Sequence, residues 1–279
     1  MAEGTKIMDI YAVFGAPIKH SKSPRIHGLF AEQTKQALEY TAQLVPADVF
    51  AEAVKAFFDA GGKGLNCTVP LKELAWQFAD TLTERARLSK AVNTLVLQKD
   101  GTVLGDNTDG IGLVTDLMVN NRLAIKQKKL LILGAGGASR GIILPLLEQA
   151  PVEIVIANRT VAKAETLAQE FQHKGNIKAS SYADLAGQSF DLILNATSAS
   201  LTGDLPPLAE GILAKQGSCY DLAYANEPTA FVRWSAEQGA IKNLDGIGML
   251  IEQAAEAFYL WRNVRPETQS IIALLESER

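Results

Sequence analysis

The chain has 279 residues, 47% of them hydrophobic and 21% charged, and a formal net charge of −4. This composition predicts a globular protein of about two domains. It argues against nucleic-acid binding because no cluster of lysine and arginine is present to bind phosphates. No apolar stretch approaches the roughly 20 residues of a membrane-spanning helix, and the polar N-terminus is unlike a signal peptide. We therefore expect a cytoplasmic protein that binds no membrane. The two cysteines and three scattered histidines suggest no metal site.

Strand and helix patterns alternate from the start of the chain. DIYAVFG is typical of a strand, and SPRIHGLFAEQTKQA predicts a helix with Ser23 as its N-cap and Pro24 at the first helical position. A strand (LEYTAQLV), an amphipathic helix (ADVFAEAVKAFFDAG) and a short strand (GLNCTVP) are predicted next. The segment AVNTLVLQKDGTVLGDNTD then predicts a hairpin around Lys99-Asp100-Gly101.

The middle of the chain repeats a strand–helix unit. KKLLILGAGG, VEIVIANR, FDLILNAT and GSCYDLAY are apolar strand patterns, and ASRGIILPLLEQA and TVAKAETLAQEFQ are helical between them. Such alternation predicts a parallel sheet with right-handed crossovers, which we place at residues 110–244. From Ile247 the apolar spacing is again helical. The chain is therefore predicted to be an α/β protein of two domains.

A glycine-rich turn follows the strand pattern that ends before Gly134. In the segment GAGGASRG, Gly134 permits a sharp turn and Gly136 lets the backbone approach a pyrophosphate. The start of the next helix offers N–H groups and a partial positive charge to phosphates. Ser139 occupies the third glycine position of the G-x-G-x-x-G template. The alternative is a strand–helix turn that binds nothing, but the surrounding pattern favours a Rossmann-type dinucleotide site.

The end of the second strand of this unit indicates which dinucleotide binds. NAD-binding proteins usually place an acid there to accept hydrogen bonds from the ribose. This chain has Asn158 and Arg159 instead, with Lys163 one turn later. A guanidinium can bind a 2′-phosphate through two hydrogen bonds, so NADP(H) is preferred. Otherwise Arg159 and Lys163 form only a solvated helix start.

Polar residues in the outer segments are candidates for a substrate site. Ser21 and Ser23 could bind a small anion at a helix start or merely form a turn and a cap. Asn66 and Thr68 share one face of a strand, and Lys72 follows its end. Strand ends are where open sheets bind ligands, although a lone lysine there is more often solvated.

Two further polar residues belong to the same set. Asn93 lies within an apolar strand, so its amide needs a partner from the fold or from a ligand. Asp109 could cap the following helix or pair with Lys72. A lysine with an acid partner suits carbonyl reduction, because the ammonium stabilises the developing negative charge on oxygen and supplies the proton.

The ordered set of these motifs resembles the shikimate dehydrogenase family over nearly the whole chain. The matching segments are FGAPIKHSKSPRIH, GLNCTVPLK, AVNTL, GDNTDG, GAGGASRG, ANRT, NATS, YDLAY and DGIGMLIEQAAEAF. The resemblance implies reversible, NADPH-dependent reduction of 3-dehydroshikimate to shikimate in aromatic amino-acid biosynthesis. It implies a Rossmann-type, doubly wound parallel sheet and a second α/β domain with a mainly parallel sheet.

The resemblance also implies the role of particular residues. Lys72 and Asp109 correspond to the catalytic pair. The residues implied to bind substrate are Ser21, Ser23, Asn66, Thr68, Lys72, Asn93, Asp109, Tyr224 and Gln253. Those implied to bind cofactor are Gly134, Ala135, Gly136, Gly137, Ala138, Asn158, Arg159, Thr160, Lys163, Leu222 and Gly246. Leu222 stands where the family commonly has methionine, which is a conservative apolar change.

The family fold implies a discontinuous substrate domain. Residues 1–109 would form it together with C-terminal helices from 245–279, and residues 110–244 would bind NADP. Alternatives are a quinate/shikimate dehydrogenase with dual cofactor use and a ligand-sensing relative without catalysis. Retention of Lys72, Asp109 and both serines argues against the latter. The sequence leaves open whether the protein is a monomer or a homodimer.

Overall fold

The computed structural model describes residues 8–279, so most of the N-terminal segment used to argue against a signal peptide lies outside the described residues. The chain divides into two compact units. The first unit runs to Thr108 and includes Ile251–Ala273, and the second comprises Asp109–Leu250 with Leu274–Arg279. Each unit contains one six-stranded sheet.

The sheet of the first unit is mainly parallel, as predicted. Its strands are β1 (Asp9–Gly15), β2 (Leu38–Leu44), β3 (Gly62–Cys67), β4 (Thr81–Leu82), β5 (Thr94–Leu97) and β6 (Val103–Asp106). They lie in the order β2-β1-β3-β5-β6-β4. The predicted hairpin is confirmed, because β5 and β6 pair antiparallel, with Leu97 opposite Val103. The strand β5 is also antiparallel to β3, and the remaining neighbours are parallel.

Four helices of the first unit connect these strands. They are α1 (Ser23–Thr34), α2 (Phe50–Asp59), α3 (Lys72–Phe78) and α4 (Glu84–Ser89). The core between sheet and helices includes Phe14, Val54, Leu65 and Leu95, all almost fully buried. The short elements α3, β4 and α4 have no clear periodicity and were not predicted.

The prediction that Ser23 caps α1 is wrong. Lys22 holds the N-cap position, and Ser23 is the first helical residue. The reason is local, because the backbone N–H of Ser23 donates a hydrogen bond to the Ser21 hydroxyl at 3.3 Å. That bond turns the chain one residue earlier. The helix also ends at Thr34 instead of continuing to Ala37, since Lys35 adopts a left-handed conformation with φ of 55°.

An aromatic cluster around His27 packs beside this sheet. The imidazole stacks on Tyr40, with ring centroids 4.1 Å apart, and also contacts Phe30, Phe258 and Trp261. Neither ring nitrogen has a hydrogen-bond partner among residues 8–279. Burial lowers the pKa of His27 to about 3, and the nearby Asn66 side chain opposes this shift only partly.

The second unit has a fully parallel sheet. Its strands are β7 (Lys129–Leu133), β8 (Glu153–Ala157), β9 (Ile177–Ser180), β10 (Phe190–Asn195), β11 (Leu213–Asp221) and β12 (Asn243–Leu244). Their order is β12-β11-β10-β7-β8-β9, and every neighbouring pair is parallel. From β9 to β12 this is the doubly wound 3-2-1-4-5-6 order, whose strand order reverses between β7 and β10. The predicted Rossmann-type sheet is confirmed.

Helices alternate with strands in the second part of the chain, as predicted for the helices that follow β7 and β8. The helices of this part are α5 (Asp109–Thr115), α6 (Gly137–Leu147), α7 (Val161–Phe171), α8 (Ala199–Thr202), α9 (Ala230–Glu237), α10 (Ile247–Arg262) and α11 (Gln269–Ser277). A π-helical turn at Asp116–Asn120 continues α5. Pro145 lies inside α6 without ending it. Among the helices formed by residues 8–279, none has the length and apolar character needed to cross a bilayer.

We expect His27 to make the free energy of unfolding depend on pH below 6.5. Its pKa in the folded state is about 3 and its ordinary value is 6.5, so the unfolded chain takes up the proton first as the pH falls. This contribution to stability is complete above pH 6.5 and declines by about 1.4 kcal/mol per pH unit towards pH 3. The variant His27→Phe should therefore lose less stability than the wild type between pH 7 and pH 5.

Urea unfolding at several pH values measures this difference. The variant His173→Gln, which removes an exposed histidine from the other unit, serves as the control for loss of an imidazole. Identical pH dependence in the His27→Phe variant and the wild type would show that the buried ring has no such role.

Candidate functional site

A chain of hydrogen bonds joins the buried amides of the first unit. The Tyr40 hydroxyl donates to Asn66 Oδ1 at 2.6 Å. Asn66 Nδ2 in turn donates to the Asn93 carbonyl oxygen at 3.0 Å and to Thr94 Oγ1 at 3.1 Å. Thr94 Oγ1 donates to Asn93 Oδ1 at 2.9 Å. The amides of Asn66 and Asn93, predicted separately, are therefore oriented by one shared network.

The same network reaches α10. Asn93 Oδ1 accepts hydrogen bonds from the backbone N–H of Thr108, at 2.9 Å, and from its hydroxyl, at 3.2 Å. Asn93 Nδ2 donates to Gln253 Oε1 at 3.3 Å, and Thr108 Oγ1 lies 3.4 Å from the same oxygen. The structure thus brings Gln253 to Asn93, 160 residues earlier in the chain.

The serines at the start of α1 lie beside this network. Ser21 accepts the backbone N–H of Ser23, and Ser23 interacts through its side chain with the Tyr40 hydroxyl. Burial raises the pKa of Tyr40 well above 10.0, and the Ser23 hydrogen bond acts in the opposite direction. Tyr40 therefore stays a neutral phenol that can donate to Asn66 while it contacts Ser23.

Thr68 and Lys72 follow the carboxyl end of β3. The backbone N–H of Thr68 donates to the Phe14 carbonyl at 2.9 Å, and Lys72 begins α3. A Cβ on Gly15 would lie 2.4 Å from Thr68 Cγ2, so the end of β1 passes close to this turn. Burial raises the pKa of the Cys67 thiol to about 12, although the nearby positive charge of Lys72 opposes the shift. The cysteine is thus an uncharged neighbour of Lys72.

Asp109 is the first residue of α5 and belongs to the second unit. Its side chain is buried. The next residue, Gly110, packs against α6, where an added Cβ would lie 2.6 Å from the Gly141 carbonyl oxygen. This close approach fixes Asp109 relative to the helix that follows the glycine turn. Its pairing with Lys72 stays a prediction.

The glycine turn has the conformation that a phosphate site requires. Gly134 has a φ of 99°, which favours glycine, and a Cβ there would lie 3.2 Å from the Ala196 carbonyl oxygen. Gly136 and Gly137 are exposed, and nothing lies within 4 Å of a Cβ placed on either. Open space therefore faces the start of α6, where helical N–H groups favour anions.

Ser139 explains the departure from the glycine template. Its buried hydroxyl donates a hydrogen bond to the Gly134 carbonyl oxygen at 2.8 Å. The side chain thus closes the turn on its inner side, while Ala138 remains exposed beside it. Ser139 therefore stabilises the turn at the position where the template has its third glycine.

Residues predicted to bind the adenosine phosphate lie at the end of β8. Asn158 Nδ2 donates to the Thr160 carbonyl oxygen at 2.9 Å, which holds the turn into α7. Arg159 and Lys163 are exposed, so both cations are accessible. Burial raises the pKa of Tyr182, and the Arg159 charge opposes that shift, so the guanidinium lies near the Tyr182 phenol. No carboxylate side chain follows at this strand end before Lys163.

Leu222 and Gly246 lie together in the second unit. A Cβ on Gly246 would be only 2.1 Å from the Leu222 carbonyl oxygen, so this contact requires glycine. The backbone N–H of Leu222 donates to the Asn195 carbonyl at 2.9 Å. Asp221 accepts hydrogen bonds from the side chains of Asn195, Ser200 and Thr229. This buried cluster positions the segments after β10 and β11.

Tyr224 is half-buried two residues after Leu222. Burial raises the pKa of its phenol, while Arg279 lowers it and Asp245 raises it. Arg279 and Asp245 form a two-bond ion pair, with distances of 2.5 and 3.0 Å. The ion pair therefore lies near the phenol.

Several members of these networks were not predicted from the sequence. In the first unit they are Tyr40, Thr94 and Thr108, and in the second they are Asn195, Asp221 and Thr229. Thr94 and Thr108 adjoin the predicted Asn93 and Asp109. Their place in the motifs AVNTL and GDNTDG could have indicated that they belong to the network. Tyr40 carries no such signal, because a tyrosine in a strand pattern is equally a core residue.

The strand order and the glycine turn define the class, which is that of dinucleotide-binding proteins with a doubly wound sheet. Family models agree with both units. Residues 13–95 match the shikimate dehydrogenase substrate binding domain, residues 117–202 match shikimate / quinate 5-dehydrogenase, and residues 246–276 match the shikimate 5′-dehydrogenase C-terminal domain.

Individual relatives cover almost the whole chain. A shikimate dehydrogenase (NADP(+)) from Methylococcus capsulatus is 62% identical over 271 residues, which are 97% of each chain. The crystal structure of an Ael1 enzyme from Pseudomonas putida has a TM-score of 0.91 and 49% identity, covering 96% of this chain and 98% of that one. A shikimate 5-dehydrogenase from Thermus thermophilus, in complex with NADP(H) and shikimate, has a TM-score of 0.87 and 31% identity, covering 98% and 100%. The chain belongs to the shikimate dehydrogenase family.

The open space at Gly136 allows a test of the turn as a cofactor site. The variant Gly136→Val should fold normally, because φ and ψ of −98° and −168° are extended and no atom lies within 4 Å of an added Cβ. The side chain would occupy the space that a pyrophosphate needs, so the Kd for NADP(H) should rise by at least about tenfold, or 1.4 kcal/mol.

Cofactor fluorescence titration and thermal unfolding measure the two effects. The variant Gly28→Val, at an exposed glycine with equally open surroundings, is the matched control. An unchanged Kd in Gly136→Val would place the cofactor elsewhere.

Proposed function

We propose that this chain is a shikimate dehydrogenase that reversibly reduces 3-dehydroshikimate to shikimate with NADPH. The observation that carries the proposal is the 62% identity to a shikimate dehydrogenase (NADP(+)) over 97% of the chain. The glycine turn and Arg159 provide for NADP(H) as the cofactor. Bound NADPH supplies a hydride to the carbonyl carbon.

Lys72 has the chemistry to complete this reduction. As the hydride arrives, the carbonyl oxygen gains negative charge, which the ammonium stabilises before it transfers a proton to that oxygen. We assign Asp109 as the acid that orients Lys72 and favours its charged form. One hydride and one proton convert the ketone to the alcohol, and the reverse reaction returns both.

The polar network of the first unit supports the assignment of the substrate residues. Asn66, Asn93 and Gln253 present amides suited to ring hydroxyls, since each amide both donates and accepts. Ser21, Ser23 and Thr68 are assigned to the carboxylate end and its neighbours, together with Tyr224. A substrate rich in hydroxyls is discriminated well by such a site, because an analogue that lacks one leaves a buried polar group unpaired.

The cytoplasmic location remains a prediction, and the oligomeric state, monomer or homodimer, remains open.

The reaction itself is tested by steady-state kinetics with shikimate and quinate, each with NADP+ and NAD+. We expect the highest kcat/KM for shikimate with NADP+. A comparable value for quinate would instead favour the broader quinate/shikimate activity, and no turnover of either would reject the proposal.

Removal of the Lys72 ammonium should abolish most turnover. We expect Lys72→Ala to lower kcat by about 10²–10⁴-fold, the usual contribution of a general acid, with little change in the Kd for NADPH. Lys63→Ala, at an exposed lysine on β3, is the matched control and should keep wild-type kinetics. Near-normal turnover in Lys72→Ala would contradict the catalytic assignment.

Arg159 should discriminate between the two dinucleotides. Arg159→Ala removes a charge-assisted contact to the 2′-phosphate, which is worth about 1.5–3 kcal/mol, or roughly 10- to 100-fold in Kd. NADPH binding should weaken to that extent and NADH binding should change little. Equal weakening of both would show that Arg159 does not contact the phosphate.

A further inference from the structure

Four charged side chains form an ion cluster in the first unit that the proposed reaction does not use. They are Arg85 on α4, Asp106 at the end of β6, and Glu256 and Arg265 at and beyond α10. The cluster contains two positive and two negative groups and is therefore balanced. Asp106 is fully buried, and the side chains of Arg85 and Glu256 are 19% and 11% exposed.

Arg85 binds Asp106 with both arms of its guanidinium. Nε donates to Oδ1 at 2.7 Å, and Nη2 donates to Oδ2 at 2.6 Å, in the planar geometry that favours arginine over lysine. Asp106 Oδ1 also accepts the Thr83 hydroxyl at 2.5 Å and the backbone N–H of Asn107 at 2.7 Å. These bonds fix the end of β6 two residues before Thr108.

The same guanidinium reaches α10. Arg85 Nη2 donates to Glu256 Oε1 at 3.1 Å, and Arg265 binds the other oxygen of that carboxylate. Glu256 lies three residues after Gln253, so the two side chains share one face of the helix. Arg85 therefore connects the two segments whose side chains meet where Thr108 and Asn93 contact Gln253.

An ion cluster of this kind is weak evidence for stability, since desolvation offsets much of the attraction between the charges. Its main effect is to position the end of β6 relative to α10. Burial lowers the pKa of Arg85, but its hydrogen bonds and charge interactions with Asp106 and Glu256 more than reverse this, so the guanidinium stays charged. The charged guanidinium thereby ties the end of β6 to α10.

We propose that Arg85 is a positioning residue for substrate, which holds the Gln253 amide against Asn93 and Thr108 by clamping Asp106 and Glu256 together. This role rests on the proposed function for its kinetic consequence. Arg85 touches neither reacting atoms nor cofactor in this assignment. Loss of the clamp should therefore affect shikimate and spare NADP+.

The first test compares KM for the two substrates of shikimate oxidation. We expect Arg85→Ala to raise the KM for shikimate by about tenfold or more, because small displacements of positioning groups are costly, and to leave the KM for NADP+ within about twofold. Arg85→Lys should stay impaired, because an ammonium cannot make the two-armed contact. Arg87→Ala, at an exposed arginine of the same helix, should resemble the wild type.

Chemical rescue separates positioning from general damage. Guanidinium ion at a concentration that does not denature the wild type should restore the shikimate KM of Arg85→Ala, whereas the same concentration of sodium chloride should not. Unchanged KM values in both Arg85→Ala and Arg85→Lys would overturn the proposal. So would equal increases for shikimate and NADP+, or a lack of rescue in a variant whose thermal stability is normal.

A second variant covers the case in which Arg85→Ala does not fold. Glu256→Gln keeps the shape of the side chain and removes the charge that holds both Arg85 and Arg265, so it should also raise the KM for shikimate selectively. A Glu256→Gln protein with wild-type KM would then overturn the clamp.

Amide hydrogen exchange tests the clamp without any substrate. In Arg85→Ala, or in Glu256→Gln if the former does not fold, amides at 107–108 and 253–257 should exchange faster than in Arg87→Ala. Unchanged exchange would overturn the proposal even if the kinetics cannot be measured. Wild-type protein that turns over no shikimate would reject the proposed function alone, while faster exchange would still support the clamp.

Discussion

Buried amides need hydrogen-bond partners, and that requirement organises the first unit. Asn66 on β3 and Asn93, just before β5, are buried, and an unpaired buried amide costs about 1–3 kcal/mol. Their partners come from distant parts of the chain. They are Tyr40 on β2, Thr94 at the start of β5, Thr108 just after β6, and Gln253 on α10. The chain has to bring these distant segments together to bury the amides. The same constraint that stabilises the sheet thus holds a group of polar side chains in fixed orientations.

The second unit depends on backbone geometry more than on side-chain partners. Its strand order reverses between β7 and β10, and the turn after β7 has a left-handed glycine at its start and exposed glycines at the helix beginning. Ser139 replaces a template glycine without disturbing this turn, because its hydroxyl binds the Gly134 carbonyl. The recognition of phosphate by such a turn needs N–H groups and space, which many sequences can supply.

Local patterns predicted the regular elements well and their ends less well. Strands β1, β7, β8 and β10 agree with their apolar patterns because each pattern reports burial of that segment. The predicted strand β2 also forms, although most of its residues are partly or fully exposed. The predicted cap of α1 was wrong because the helical hydrogen bonds begin one residue earlier, with the Ile26 N–H donating to the Lys22 carbonyl oxygen. The alternation of polar and apolar residues does not record where the first helical hydrogen bond forms. The elements α3, β4 and α4 are too short to show a period.

The sequence by itself determined the α/β class, the glycine turn and the absence of an acid beside Arg159. Each is a property of a contiguous segment, so neighbouring residues suffice to express it. Only the tertiary structure decided that Gln253 meets Asn93 and that Arg85 joins Asp106 to Glu256. Family resemblance had implied a role for Gln253 but not its partners, and nothing in the sequence indicated Arg85. The physical reason is that contacts between residues up to 171 positions apart depend on how strands and helices pack, which no local pattern contains.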